Sequence, residues 1–111
     1  QMNQAQMNQA QQNANNQMYA QMFASLYCDR NAKDDFGPVA MQKTLAAVDS
    51  LPLHKWSYKG DETPHIGTFA QDFNEALGLP ANTHINVIDL LGAILGSVQA
   101  LSARVKELES A

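Results

Sequence analysis

The clearest hydrophobic pattern lies at the C-terminal end. Apolar residues fall at Val87, Leu91, Ile94, Val98, Leu101, Val105 and Leu108, in steps of 4, 3, 4, 3, 4 and 3. That is a heptad seam, with a at Leu91, Val98 and Val105 and d at Val87, Ile94, Leu101 and Leu108. Asn86 stands where an N-cap is needed, and Asp89 three residues on suits the positive end of the helix dipole. The pattern predicts a helix over about 86–109. Ile88 and Leu95 add apolar e positions in its first half, whereas the later e positions are Ser102 and Glu109. The helix is therefore expected to pack on its own domain early and to self-associate as a coil later. Arg104 at g precedes Glu109 at e by five residues, the offset at which charges meet between parallel chains. The plainer alternative is one amphipathic core helix in a monomer.

Upstream, the patterns are shorter. Pro38 suits a first helical turn, and Val39, Leu45 and Val48 give an approximate helical stripe that Ser50, Leu51 and Pro52 end. Residues 53–59 alternate as a strand does, with Leu53, Lys55, Ser57 and Lys59 on one face and His54, Trp56 and Tyr58 on the other. Residues 60–64 read as a polar turn and 65–70 as the return strand. Trp56 and Tyr58, with Phe69 beside them, are expected to pack on the helical part. A short helix over 72–77 is stopped by Gly78 and Pro80. The first 27 residues differ in kind. QMNQA occurs twice at their start, and Gln, Asn, Ala and Met dominate. Such a tract reads as a disordered linker or as a helix. Met18, Met22 and Leu26 at i, i+4 and i+8 favour the helix. The resulting fold class is α+β and mainly helical, with a short hairpin packed on helices.

Composition narrows the function. The chain has 111 residues, enough for one domain. Only 16% are charged, and residues 1–27 carry no Asp, Glu, Lys or Arg. The net charge of −4 argues against nucleic acid as a partner. No apolar run reaches 18 residues, so no membrane partner is expected. One cysteine excludes a disulfide framework and a cysteine-rich zinc site, and no metal or cofactor is expected. The chain opens on Gln1 without a leader pattern and is expected to be a processed or excised piece of something longer.

Motifs for hydrolases and phosphate binders are absent, and His54, His65 and His84 are scattered. One stretch stands out where the composition changes: Cys28-Asp29-Arg30-Asn31-Ala32-Lys33. A thiol and an amine five residues apart meet if the chain turns once. A desolvated lysine acts as a general base, and a neighbouring cation lowers a thiol pKa. Taken alone, this spacing is common by chance.

From residue 28 onward the chain resembles the C-terminal intramolecular chaperone autoprocessing domain of phage tail spikes, tail fibres and endosialidases. Residues 28–33 resemble its Ser-Asp-x-x-x-Lys cleavage motif. Leu51-Pro52-Leu53 with Trp56-Ser57-Tyr58 resembles a loop entering an aromatic strand. Residues 65–72, from His65 through Gly67 to Gln71 and Asp72, resemble its Gly-x-x-Ala-Gln-Asp/Glu signature. Asp89–Ile94 opens the final helix as the family's does. The resemblance implies a parallel homotrimeric coiled coil that registers a viral fibre passenger during folding in the host cytoplasm. Self-cleavage between Tyr27 and Cys28 then releases it. Cys28 is the implied nucleophile, in place of the family's Ser, and Lys33 the implied base. Asp29, His65, Gly67, Gln71 and Asp72 are candidate supporting residues, and Gln71 and Asp72 could equally close the turn into the next helix. Residues 1–27 would be the end of the passenger or its linker, and 28–111 the chaperone. A non-catalytic trimerisation module and a cysteine enzyme acting on outside substrates are the competing readings.

Overall fold

The computed structural model describes residues 3–111, and residues 17–24 by their backbone alone. The backbone contacts divide the chain into two compact units, Gln1–Phe36 and Gly37–Ala111.

The first unit is built on helix α1, Gln4–Ala24. Its sequence has no apolar face to bury in the described part, so local bonds have to hold it. Asn3 and Gln6 form a reciprocal capping box, with Oδ1 of Asn3 accepting from the Gln6 amide at 2.8 Å and Oε1 of Gln6 accepting from the Asn3 amide at 3.0 Å. Along the surface Gln4 donates to Asn8, Gln9 to Asn13 and Gln11 to Asn15, each one turn on. The repeated glutamine and asparagine spacing thus serves the helix. The side chains of Met18 and Met22 lie outside the described residues, and Leu26 falls beyond the helix end.

In the second unit the order is α2 (Met41–Asp49), β1 (His54–Trp56), β2 (His65–Gly67), α3 (Ala70–Ala76) and α4 (Val87–Glu109). Helix α2 starts three residues after Pro38, which stays in the extended approach instead of the first turn. It ends as expected: the Ser50 amide and hydroxyl bond the last carbonyls, and Pro52 cannot continue it. The strands are shorter than the alternation suggests. They pair antiparallel with His54 opposite Gly67, Lys55 opposite Ile66 and Trp56 opposite His65. Pro52 and Pro64 lack the amide that would lengthen the ladder. The Tyr58 carbonyl is taken by the Asp61 amide in a turn where Gly60 adopts φ +84°. The Phe69 carbonyl accepts from the Phe73 amide as the first bond of α3, so α3 begins two residues before Asp72. Gly78, at φ +69°, closes α3. Its amide bonds the Glu75 carbonyl, and the Leu79 amide bonds the Asn74 carbonyl, a Schellman end.

The core is small. Phe73 is fully buried, with Leu45 of α2 and Ala93 and Ala100 of α4. Helix α2 packs mainly on α4, and also on α3, while the two strands contact each other. The expected aromatic core is therefore displaced: Trp56 is only half-buried, and Tyr58 and Phe69 are exposed. The hairpin meets the rest through side chains, His54 stacking on Phe69 at 5.1 Å. Truncating the one large buried ring leaves a cavity, so Phe73→Ala should lower stability by about 3–5 kcal/mol in a denaturant melt. Unchanged stability would mean that the core lies elsewhere.

Helix α4 keeps the expected bounds and cap. The Asn86 side chain accepts from the amides of Ile88 and Asp89 at 2.8 and 3.2 Å. Its packed face consists of small residues, Ala93, Gly96, Ser97 and Ala100. A Cβ on Gly96 would already touch Thr44 at 3.5 Å, so these residues let the helix backbones come close. Gln42 donates to the Ala100 carbonyl at 3.2 Å and accepts from Nε of Arg104 at 2.9 Å. The seam points away: its seven residues are 46–77% exposed. Ile88 and Leu95, expected against their own domain, are exposed too. No uninterrupted apolar run of 18 residues exists, yet one helix meets the length and mean hydropathy of a membrane span. Helix α4 is long and apolar enough, with hydropathy 1.3 over its best window. The heptad seam and the small packed face together produce that composition.

Candidate functional site

The geometry around Cys28 follows from one short turn. An extended chain would carry five residues some 17 Å. Here Asp29 starts a 3-10 turn, Arg30–Ala32. Its carboxylate accepts from the Asn31 amide at 3.0 Å, and its carbonyl from the Ala32 amide at 3.1 Å. The Lys33 amide then bonds the Arg30 carbonyl at 3.2 Å. The chain doubles back, and Nζ of Lys33 donates to Sγ of Cys28 at 2.6 Å. Asp29 thus acts through the backbone, by shaping the turn that joins the thiol to the amine. A side chain that accepts its own i+2 amide is a turn signal legible in Asp29-Arg30-Asn31.

Every residue from 25 to 36 is exposed, so Tyr27, Cys28, Asp29 and Lys33 all face solvent. The peptide bond before Cys28 is accordingly open to approach. A thiol touching an amine can pass its proton to that amine and attack a carbonyl, provided the amine is neutral. Solvated lysine amines are charged near neutral pH, and withdrawing them from water favours the neutral base.

The other candidates belong to the second unit. His65 stacks on Trp56 at 4.9 Å and meets the edge of Tyr58 at 5.6 Å. Gly67 backs the same indole: a Cβ there would stand 3.6 Å from Nε1 of Trp56. Gln71 lines a cavity of about 490 Å³ with Trp56, Tyr58, Thr68, Phe69 and His84. The sequence carries no sign of this cavity, because Thr68 and His84 share no motif and line one space only after the chain has folded. Asp72 instead borders a shallower hollow with Leu51, Pro52 and Glu75. It also sits in the first turn of α3, where its charge suits the dipole. Among the described residues no three His, Cys, Asp or Glu side chains converge as metal ligands do.

A family model named as a peptidase and described as chaperone of endosialidase matches residues 28–84, a little over half of the chain. It begins at the cysteine of the turn and ends before α4. No curated protein matches, and no solved structure matches.

Proposed function

The chain belongs to the chaperone-of-endosialidase family, and from that membership we propose that it is an intramolecular chaperone which trimerises, holds a viral tail-fibre or tail-spike passenger in register, and is released by self-cleavage between Tyr27 and Cys28. The observation that carries the reading is the heptad seam of α4, apolar at seven consecutive a and d positions and exposed at each, on a helix whose opposite face is packed. Large exposed apolar surface marks an interaction site. Three parallel seams bury it, with residues 28–111 as the chaperone and residues 1–27 as the end of the passenger or its linker. The device suits its task. Interwound fibres fold slowly and pair in competing registers, and joining the chain ends raises their effective concentration. Removing the chaperone afterwards traps the fibre kinetically. In this reading the precursor assembles in the host cytoplasm.

Release is a matter of two side chains. Lys33 takes the Cys28 proton, and Sγ attacks the Tyr27 carbonyl carbon. The C–N bond breaks, the proton passes to the departing Cys28 nitrogen, and a thioester remains. Water hydrolyses it, leaving a Tyr27 carboxylate and a free Cys28 amine and thiol. The contact of Lys33 with Cys28 supports these roles. The solvent around both favours the second reading, a trimerisation module without peptidase activity, for the cysteine form as it stands. Assembly supplies the missing desolvation in the first reading.

Sedimentation equilibrium of the full chain at micromolar concentration tests the assembly. Three chains per particle is the expected mass, and a monomer overturns the proposal.

A further inference from the structure

The two flanks of the seam are unlike. Around a helix the heptad positions run a, e, b, f, c, g, d. The packed residues of α4 occupy c (Ala93, Ala100), f (Gly96) and g (Ser97). The domain's own α2 therefore walls the g flank. It fixes Arg104, also at g, through Gln42. Leu90, the first g residue of the helix, is half-buried. The e flank is bare at Leu95, which is 63% exposed, whereas Ile88 one heptad earlier borders a hollow with Val39, Leu77 and Leu79 of its own domain. Each chain thus carries a built-up flank and a bare apolar flank on either side of one seam.

We infer that the chains associate in parallel with the bare e flank of each chain seated on the walled g flank of the next, so that Leu95 packs against Leu90 and α2 of its neighbour and Glu109 meets Arg104. The inference rests on the trimer proposed above and names its interchain contact. Three observations select this occupant. In a parallel coil, e faces the g position five residues earlier on the neighbour, which pairs apolar Leu95 with apolar Leu90 and acidic Glu109 with basic Arg104. An antiparallel coil sets e against e and g against g. Leu95 then faces polar or charged e residues, and two α2 walls collide. Lastly, complementary flanks on one chain make a heterologous contact that closes into a ring by rotation. The α2 helix therefore serves two chains: it buries the small face of its own α4 and covers the e stripe of the next.

Disulfide trapping tests this. In a Cys28→Ala background, Leu90→Cys and Leu95→Cys are introduced singly and together, and the full chain is mildly oxidised. Within one helix the two positions stand about 7.5 Å apart along the axis, beyond the roughly 7 Å that a disulfide spans between Cα atoms. The double variant is expected to give covalent dimers and trimers on a non-reducing gel, and both single variants to stay uncrosslinked. As a second readout, Leu95→Ser should weaken association roughly tenfold or more, as loss of one buried leucine implies. A linked Leu95→Cys single variant indicates e against e and overturns the inference. A trimer that neither crosslinks in the double variant nor weakens with Leu95→Ser overturns it while leaving the proposed function standing. A monomer overturns both, and a monomer that floats with phosphatidylcholine vesicles would assign the apolar face to a bilayer.

Discussion

Replacing Ile94 and Leu101 together by aspartate should reduce the particle to single chains. Both are d residues, about half exposed in the single chain and enclosed once seams meet. Each aspartate would leave an unpaired charge in the interface, at a cost of about 3–5 kcal/mol. One such site weakens association more than a hundredfold, and two in every chain exceed what a coil of this length supplies. The variant should nonetheless stay folded. Neither residue belongs to the packed c, f and g face, and Phe73 and Leu45 are untouched. Circular dichroism with the helical signal retained, beside a monomeric sedimentation profile, is the expected pair of results. Loss of both signals would mean that the seam serves the domain's own core.

Cleavage should depend on Lys33 to a comparable degree. General acid–base help of this kind contributes about 10²- to 10⁴-fold. In Cys28→Ser the reaction should be efficient, and adding Lys33→Ala should stop it on the same timescale. The form with Cys28 is expected to be slow or inactive, since a thiol stands there in place of the family's serine hydroxyl. Rapid cutting by the double variant would remove Lys33 from the mechanism. The seam variant offers a separate check. If packing between chains desolvates the amine, Ile94→Asp with Leu101→Asp should also slow cleavage in the Cys28→Ser background.

Some elements could be read from the sequence because one physical signal dominated. Helix α4 lies at the expected positions, since seven seam residues in strict heptad register and an asparagine cap leave little room for another structure. The close of α3 was legible through Gly78, whose positive φ a side chain would oppose. The face of α4 that packs on α2 was not legible. Ala93, Gly96, Ser97 and Ala100 barely register as hydrophobic, yet they decide the contact because they let two backbones approach. For the same reason Ile88 and Leu95 looked like the inner face and lie outside. The strand alternation at His54, Trp56 and Tyr58 did place three rings on one side, where Trp56 meets both Tyr58 and His65. It could not tell that this side borders a cavity rather than a core. At the turn, spacing alone was weak, and the ordered set of resembling motifs singled out Cys28 and Lys33. The carboxylate of Asp29, which folds the turn, was the local clue to why they meet.

In the proposed function, a chain assembled through its C-terminal helix cuts itself in front of residue 28. Intact mass of the Cys28→Ser chain, purified and incubated at neutral pH over a range of concentrations, addresses it most directly. Two fragments are expected, residues 1–27 and 28–111, formed at a rate independent of dilution while the trimer persists. An uncut chain that sediments as a trimer, or a fragment beginning at any residue other than 28, would contradict it.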